Sequence, residues 1–406
     1  MSPTSSKTPT KLSPATQRAI LLLSFATFCS MSVQRICDPM LPELARIFSA
    51  PMGQVAQVIS WFAVTYGIMQ LVFGPLADRW GKYRVILCAT LGCSLGSVLS
   101  ALSQGLEYLV AARVVTAVAA AGIIPLSLAW VGDAVDYEHR QETLARVGLG
   151  TMLGITGGQV FGGLLTDTLG WRWAFALMAS AFGVVSFLMW RHQKRLEQPP
   201  ALSQDRKKFV SQLLEVAQDT WARTLLGIAV LEGAMVFGLL AVTASHLHHT
   251  HDISLTWAGA TTGLFGLGGM AYMASAKHTI RRFGEVGLAR HGGSVLGVGF
   301  LVIAFTPWWP LAMPACLAAG FGFAMFHNTM QVNATQMVPT ARATGVTLFA
   351  GALFLGQSIG VLSLAALMTH WPSAWVMAVS AVCMVILGWR FAHGIVNHTA
   401  QQSEPA

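Results

Sequence analysis

The stretch Gly74-Pro-Leu-Ala-Asp-Arg-Trp-Gly-Lys-Tyr-Arg84 joins two long apolar runs, near residues 54–76 and 84–104. Runs of about 20 apolar residues are long enough to cross the hydrocarbon core of a bilayer as helices. The glycines of the stretch permit a tight reversal, and its acidic and basic side chains can hold neighbouring helix ends. Basic residues in short loops also favour the cytoplasmic side. The stretch therefore predicts two antiparallel membrane helices joined by a basic loop on the inside.

The composition extends this prediction to the whole chain. Of its 406 residues, 54% are hydrophobic and only 10% are charged, whereas a soluble domain carries about 25% charged residues. Twelve spans of about 20 residues would use roughly 240 residues and leave about 165 for loops and tails. We therefore predict an all-α membrane protein with twelve transmembrane helices, and we exclude a soluble enzyme.

The predicted spans form two sets of six, separated by one polar connector. They lie near 19–41, 54–76, 84–104, 108–131, 145–166 and 172–190, and near 224–246, 256–276, 288–307, 309–331, 343–366 and 372–394. The chain is thus predicted to contain a cytoplasmic N-terminal tail at 1–18, a six-helix bundle at 19–190, a cytoplasmic connector at 191–223, a second six-helix bundle at 224–394 and a C-terminal tail at 395–406. Within the connector, amphipathic spacing from about 207 to 222 predicts a helix on the membrane surface.

The distribution of charge decides between a membrane protein and a nucleic-acid-binding protein. The net charge is +8, but 21 of the 25 Lys and Arg residues fall on one predicted side of the membrane. That asymmetry is typical of cytoplasmic loops and not of a nucleic-acid patch. Both termini are therefore predicted to be cytoplasmic. The six cysteines lie in apolar stretches without CxxC spacing, so no metal site or disulfide framework is predicted.

The two sets of helices also resemble each other in sequence. Three landmarks recur in the same order at offsets of 203, 198 and 200 residues. The pairs are Arg79 and Arg282, Gly158 and Gly356, and Trp171 and Trp371. Repeated halves with a binding site at their interface are a transporter architecture.

The loop at 74–84 resembles motif A, the signature loop of the major facilitator superfamily, and the resemblance covers the whole chain. It implies two pseudo-symmetric six-helix bundles around a central cavity, a small-molecule substrate, no cofactor, a monomer, and residence in a bacterial inner membrane. It also implies that the loop controls a conformational switch, with Asp78 latching to the start of the predicted span 343–366. The gate candidates are Gly74, Asp78, Arg79, Gly81, Lys82 and Arg342. The alternative is a basic turn that serves only topology.

The stretch at 154–163, GITGGQVFGG, resembles the GxxxGPxxGG motif of the twelve-span drug:proton antiporters. Gln159 stands where that motif has proline, and Ala145 stands where an upstream glycine is usual. Small residues at this spacing also let helices approach closely without any role in export. The motif candidates are Gly154, Gly158, Gln159, Gly162 and Gly163, with Gln357 at the matching place in the second half.

Ionisable residues inside the predicted spans are candidates for coupling and substrate binding. Each costs roughly 2.5–3.5 kcal/mol on insertion scales, so such residues usually face a cavity or a partner. Arg35, Asp38 and Arg113 lie at similar predicted depths, and Leu109-xxx-Arg113 resembles motif B of the superfamily. We predict that the three residues cluster and bind an anionic group or keep Asp38 ionised. The alternative is a structural salt bridge at the outer helix ends.

Glu232 stands alone in the predicted span 224–246, roughly 12 Å from its cytoplasmic end at 1.5 Å per residue. His327 and Asn328 of the predicted span 309–331 are its predicted neighbours. A proton carrier or substrate contact is favoured, and a neutral acid hydrogen-bonded between helices is the alternative. The histidines of 246–251 have spacing that can bind zinc or nickel, but a solvated loop is the favoured interpretation.

These features predict a secondary active transporter that exports a small amphipathic drug-like compound or metabolite by alternating access. Protons are the predicted coupling ion, carried by Glu232 or Asp38, and Arg113 would link the charge state of the carrier to substrate binding. Proton-coupled uptake of a small solute is the alternative within transport. A non-transporting membrane sensor or a lipid scramblase is the alternative from another class. No HExxH, GxSxG or phosphate loop stands in a suitable context, so no enzyme is predicted.

Overall fold

The computed structural model describes residues 12–194, 206–338 and 342–403, and no β-strand occurs within those ranges. The first group of helices comprises α1 (Pro14–Arg35), α2 (Leu41–Phe48), α3 (Met52–Val55), α4 (Gln57–Trp80), α5 (Lys82–Ala101), α6 (Leu106–Ala120), α7 (Ile123–Ala134), α8 (Tyr137–Thr168) and α9 (Trp171–Gln193). The second comprises α10 (Arg206–Gln218), α11 (Thr220–Glu232), α12 (Gly238–His251), α13 (Leu255–Phe305), α14 (Ala312–Gln336), α15 (Arg342–Leu367) and α16 (Ser373–Ser403). A π-helical turn at Gly233–Phe237 joins α11 to α12, and a 3-10 turn at Trp309–Leu311 precedes α14.

In the described part of the chain, ten helical stretches are long and apolar enough to cross a membrane. One of them is α13, whose 51 residues occupy the place of two predicted spans. Its backbone breaks at Gly284, where φ is 60° and ψ is −179°, a conformation that is accessible mainly to glycine. The glycine-rich α8 is not among the ten, although it occupies the place of predicted span 145–166. The all-helical membrane fold is confirmed, and the number twelve stays a prediction.

The prediction of where the first span ends was wrong. The sequence predicts one helix over 19–41, but α1 ends at Arg35 and a turn over 36–40 leads into the separate α2. Pro39 and Pro42 explain the interruption, because proline lacks an N–H group and disfavours helical backbone in the residue before it. The turn places Asp38 beside the end of α1 and not inside a regular helix.

The connector helix also differs from its prediction. The helix predicted over 207–222 is α10, which ends at Gln218 because Asp219 starts the next helix. The Asp219 carboxylate accepts a hydrogen bond from the N–H of Ala222 at 2.6 Å, which is an N-cap. Val216 is buried, and the Thr344 hydroxyl of α15 donates to Gln212 Oε1 at 2.7 Å. This helix therefore packs on α15. Residues 191–193 of the predicted connector belong to α9, and residues 195–205 lie outside the described residues.

The helices of each half pack mainly with one another. In the first half, α1 packs along α8, and α5 packs against α6 and α9. In the second half, α13 packs against α14 and α16, while α11 and the π-helical turn pack on α15. Most of the contact between the halves runs along two helix pairs, α8 with α13 and α4 with α15. We call these two contacts the seam.

Candidate functional site

Five buried polar side chains bridge the seam, and we call them the seam network: Arg35, Asp38, Gln159, Thr262 and Gln357. Gln159 Nε2 donates to Asp38 Oδ2 at 2.7 Å, and the Thr262 hydroxyl donates to Gln159 Oε1 at 2.9 Å. Arg35 lies 3.8 Å from the Asp38 carboxylate and donates to Gln357 Oε1 at 3.3 Å. Two of these hydrogen bonds cross between the halves, Thr262 to Gln159 joining α13 to α8 and Arg35 to Gln357 joining α1 to α15.

The close approach of α1 and α8 depends on a glycine. A Cβ atom added to Gly158 would lie 2.5 Å from the Ser32 carbonyl oxygen and 2.9 Å from Arg35 Cβ. Both distances are shorter than a van der Waals contact, so a larger residue would separate the two helices. The predicted packing motif therefore has a physical role here, because it brings Gln159 within reach of Asp38.

The guanidinium of Arg35 also lies over the ring of Phe237, with Cζ 4.1 Å from the ring centroid. Phe237 belongs to the π-helical turn that follows Glu232. Cations are attracted to the face of an aromatic ring, and more strongly where water is excluded. This contact joins α1 to the second half of the chain, and no sequence pattern predicts it.

Arg113 does not join the network directly, so the predicted cluster forms only in part. Its guanidinium donates to the carbonyl oxygens of Val33 at 2.7 Å and Val58 at 3.4 Å, and lies over the Phe62 ring at 4.2 Å. These contacts hold α6 against α1 and α4. Two buried polar atoms nearby, Asp38 Oδ1 and Arg113 Nη2, have no hydrogen-bond partner among the described residues.

Glu232 and His327 form the second polar site. The two carboxylate oxygens of Glu232 lie 3.1 and 3.2 Å from His327 Nδ1. The side chain of Glu232 is fully buried, whereas that of His327 is 20% exposed and stacks on Phe323. Asn328 faces elsewhere and donates to the Tyr272 hydroxyl at 3.3 Å. The structure thus brings one of the two predicted neighbours to Glu232.

The loop at 74–84 forms the predicted reversal between α4 and α5. Gly81 has a φ of 87°, which favours glycine. Lys82 forms an ion pair with Asp133 at the end of α7, a partner that the sequence analysis did not identify. Asp78 is half-buried, and no hydrogen bond or ion pair joins it to another described residue. Arg342 begins α15, but its side chain lies outside the described residues, so the predicted latch stays a prediction.

At the opposite end of the helices, Asp167 bonds to α13 across the seam. Its carboxylate accepts the N–H groups of Leu255 at 3.3 Å and Thr256 at 2.6 Å, and the Thr256 hydroxyl at 2.6 Å. A carboxylate at a helix N-terminus satisfies free N–H groups and is favoured by the helix dipole. Since Asp167 and Thr256 are far apart in sequence, hydropathy alone does not reveal the pair.

The histidines of 246–251 continue α12 and do not form an irregular loop. His246 Nδ1 lies 2.7 Å from the Ser373 hydroxyl, and His248 Nδ1 lies 2.6 Å from the Ile253 carbonyl oxygen. Within the described ranges, no group of three or more His, Cys, Asp or Glu side chains is placed to hold a metal ion.

Comparison with known families agrees with this architecture. The family model described as the Major Facilitator Superfamily matches residues 23–361, which is most of the chain. The chain belongs to the Major Facilitator Superfamily. It is therefore a multi-pass membrane transporter of this superfamily, as motif A indicates.

Relatives of this superfamily member include proteins named for drug resistance. The chain is 24% identical to the uncharacterized MFS-type transporter YwfA of Bacillus subtilis (strain 168), over 76% of this chain and 74% of that protein. It is 26% identical to the putative multidrug resistance protein MdtD of Serratia proteamaculans (strain 568), over 78% of this chain and 62% of MdtD. It is 30% identical to the probable multidrug resistance protein EmrY of Escherichia coli (strain K12), over 42% and 33% of the two chains. The alignments thus span less than two thirds of MdtD and EmrY.

Solved structures share the fold of this transporter at low sequence identity. A bacterial homolog of the human lysosomal transporter Spinster, in an inward-facing and occupied conformation, aligns with a TM-score of 0.75 and 18% identity, over 97% of this chain and 100% of that one. The nucleoside transporter NupG aligns with a TM-score of 0.75 and 14% identity, over 93% and 98% of the two chains. The similarity establishes the transporter fold.

Proposed function

We propose that the protein exports a small amphipathic compound, drug-like or a metabolite, in exchange for protons. The observation that carries the proposal is the buried chain from Asp38 through Gln159 to Thr262, which crosses the seam. A carboxylate inside a membrane protein that also contacts the opposite half can tie its protonation to the contact between halves. The relatives named as multidrug resistance proteins support a drug-like substrate.

Two six-helix bundles rocking about a central site would carry out the exchange. In our proposal both termini are cytoplasmic, the loop at 74–84 lies inside, and Asp167 lies at the outer end. The bonds of Asp167 to α13 and the burial of the seam network support an outer end that is closed in this structure. The 20% exposure of His327 supports access to the second site from the inner side. We also propose a monomer in a bacterial inner membrane.

Protonation of Asp38 would loosen the seam network. Ionised Asp38 attracts Arg35 and accepts the Gln159 amide, which holds the outer end of the seam together. A proton taken up by Asp38 from outside would weaken both contacts, since the charge is lost. Glu232 would exchange a second proton with His327 or the substrate, because its carboxylate is buried and His327 is its one titratable hydrogen-bond partner among the described residues. Arg113 would sense the charge on Asp38 through space.

The test is proton flux in proteoliposomes that contain a pH-sensitive dye, with a panel of cationic, neutral and anionic compounds. Wild-type protein should move protons against at least one compound, and Glu232→Gln and Asp38→Asn should each lower that flux by at least about tenfold. Glu43→Gln is the matched control. Glu43 is a glutamate like Glu232 and lies in the first half like Asp38, but it pairs with exposed Arg46 on α2. Its flux should match the wild type.

Full coupled flux in the double variant Glu232→Gln/Asp38→Asn would refute carboxylate coupling at these two positions. The sign of the flux separates export from its alternative. Protons that enter vesicles together with the compound would establish uptake by symport, which Gln159 favours because it replaces the proline of the export motif. Binding of a compound without any proton movement would exclude proton coupling altogether.

A further inference from the structure

A groove between the second part of α13 and α16 lies apart from both polar sites. The two helices cross closely, since a Cβ atom added to Gly293 would lie 2.8 Å from Gly388 Cα. Beside this crossing the groove has a volume of about 640 Å³. It is lined by Arg290, Val385, Ile386, Trp389, Arg390 and His393. None of these residues has a role in the proposed transport mechanism.

The groove carries positive charge without a compensating acid. Arg290 and Arg390 are both exposed, and neither forms an ion pair with a described residue. The sequence of α16 contains no Asp or Glu. Arg290 lies over the Trp389 ring with Cζ 4.6 Å from the centroid, and Trp389 Nε1 donates to the Ser294 hydroxyl at 3.2 Å. One arginine is thus held in place by an aromatic ring that is itself hydrogen-bonded.

The depth of these residues fits the boundary between headgroups and acyl chains. Arg290 comes six residues after the break at Gly284, near the predicted inner end of this span. Arg390 and His393 lie in the last part of α16, at the same end. Val385 lies five residues earlier than Arg390, which is about 7.5 Å deeper at 1.5 Å per residue. The groove is therefore basic at the membrane surface and apolar below it.

We propose that this groove binds an anionic phospholipid of the cytoplasmic leaflet. The guanidinium groups of Arg290 and Arg390 would donate hydrogen bonds to the phosphate oxygens, as arginine does with planar geometry that suits oxyanions. The indole of Trp389 would lie at the glycerol level, where amphipathic aromatic side chains concentrate. An acyl chain would lie along Val385 and Ile386. The site depends on the proposed orientation of the helices and not on the direction or coupling of transport.

Native mass spectrometry of the delipidated full chain in detergent tests the proposal, with phosphatidylglycerol and phosphatidylcholine as the two probes. A basic residue near an anionic lipid surface contributes about 1 kcal/mol, which is about fivefold in affinity. We therefore expect preferential binding of phosphatidylglycerol by the wild type. Arg290→Gln/Arg390→Gln should lose at least about fivefold for that lipid and leave phosphatidylcholine binding unchanged.

Arg281→Gln/Arg282→Gln is the matched control, since it removes the same charge from exposed arginines at the same membrane end but outside the groove. It should retain the preference, and Arg290→Lys/Arg390→Lys should recover part of the affinity. Equal loss in both glutamine double variants, or no loss in either, would overturn the proposal. A third probe, inorganic phosphate, should not displace the lipid at equal concentration. Displacement by phosphate would mean that the site takes a free anion and not a lipid.

Discussion

Gln159 shows how one residue can connect two helices, α8 and α13, with the turn that follows α1. An amide side chain carries a donor and an acceptor, so it can donate to Asp38 on one side and accept from Thr262 on the other. The proline found at this place in the related export motif could make neither bond. The departure from the motif therefore has a structural reason, since a polar bridge occupies the place of a helix-bending residue.

Replacing Thr262 with valine should weaken this bridge while keeping the shape of the side chain. The Gln159 amide oxygen would lose its hydroxyl donor, which is worth about 1 kcal/mol, or about fivefold. We expect proton-coupled flux in proteoliposomes to fall by about that factor. The control is Thr261→Val, because the Thr261 hydroxyl is buried without a hydrogen-bond partner among the described residues. Equal flux in the two variants would exclude a role for the bridge.

Sequence reasoning identified most members of the two polar sites and placed Arg35 near Asp38 and His327 near Glu232, but it did not predict the bonds that Gln159 makes. Arg35, Asp38 and Glu232 were found because charge is rare in apolar spans, and Gln159 because it breaks a motif. Thr262 could not be recognised from the sequence, because a threonine in a glycine-rich helix is common and costs little free energy to insert into a membrane. The residues that these hydrogen bonds join are more than 100 positions apart in the sequence. Such pairings depend on helix rotation and crossing angle, which hydropathy does not specify.

At the scale of helices, the crossing of α11–α12 with α15 depends on glycine. Cβ atoms added to Gly356 and Gly360 would lie 2.0 Å from the Val230 carbonyl oxygen and 1.9 Å from that of Ala234. The π-helical turn begins between these two contacts, directly after Glu232. An extra residue in a helical turn shifts the faces that follow, so the turn rotates Phe237 relative to Glu232. Neither the turn nor the closeness of the crossing was predicted.

Gly360→Ala should therefore destabilise the folded protein. The added methyl group would push α15 away from the π-helical turn, and overpacking of this kind costs about 1–3 kcal/mol. We expect a lower unfolding temperature of the detergent-solubilised protein. Gly227→Ala on α11 is the control, since nothing lies within 4 Å of the added Cβ and alanine favours helix. An unfolding temperature for Gly360→Ala no lower than that of Gly227→Ala would mean that the crossing has room for a methyl group.

For the whole molecule, three separate contacts hold the halves together toward the proposed outer end. They are the Asp167 bonds to α13, the seam network, and the packing of α3 on the end of α15. The fold class and the membrane placement followed from hydropathy and charge, because both depend on composition along short stretches. The conformation could not be predicted in this way, since the same sequence must form both states of an alternating-access cycle. An opening at that end requires all three contacts to break together.

A disulfide between cysteines at positions 53 and 366 should prevent that opening. A Cβ atom added to Gly53 lies 3.4 Å from Ala366 Cβ, close to the range of about 3.5–4.5 Å found in disulfides. The double variant Gly53→Cys/Ala366→Cys is best made with Cys88→Ser and Cys383→Ser, because the other four native cysteines are buried. Oxidation should abolish transport, and a reductant should restore it. Each single cysteine variant should transport equally under both conditions. Full transport by the cross-linked protein would mean that these helix ends stay in contact throughout the cycle, and the halves would then have to separate elsewhere.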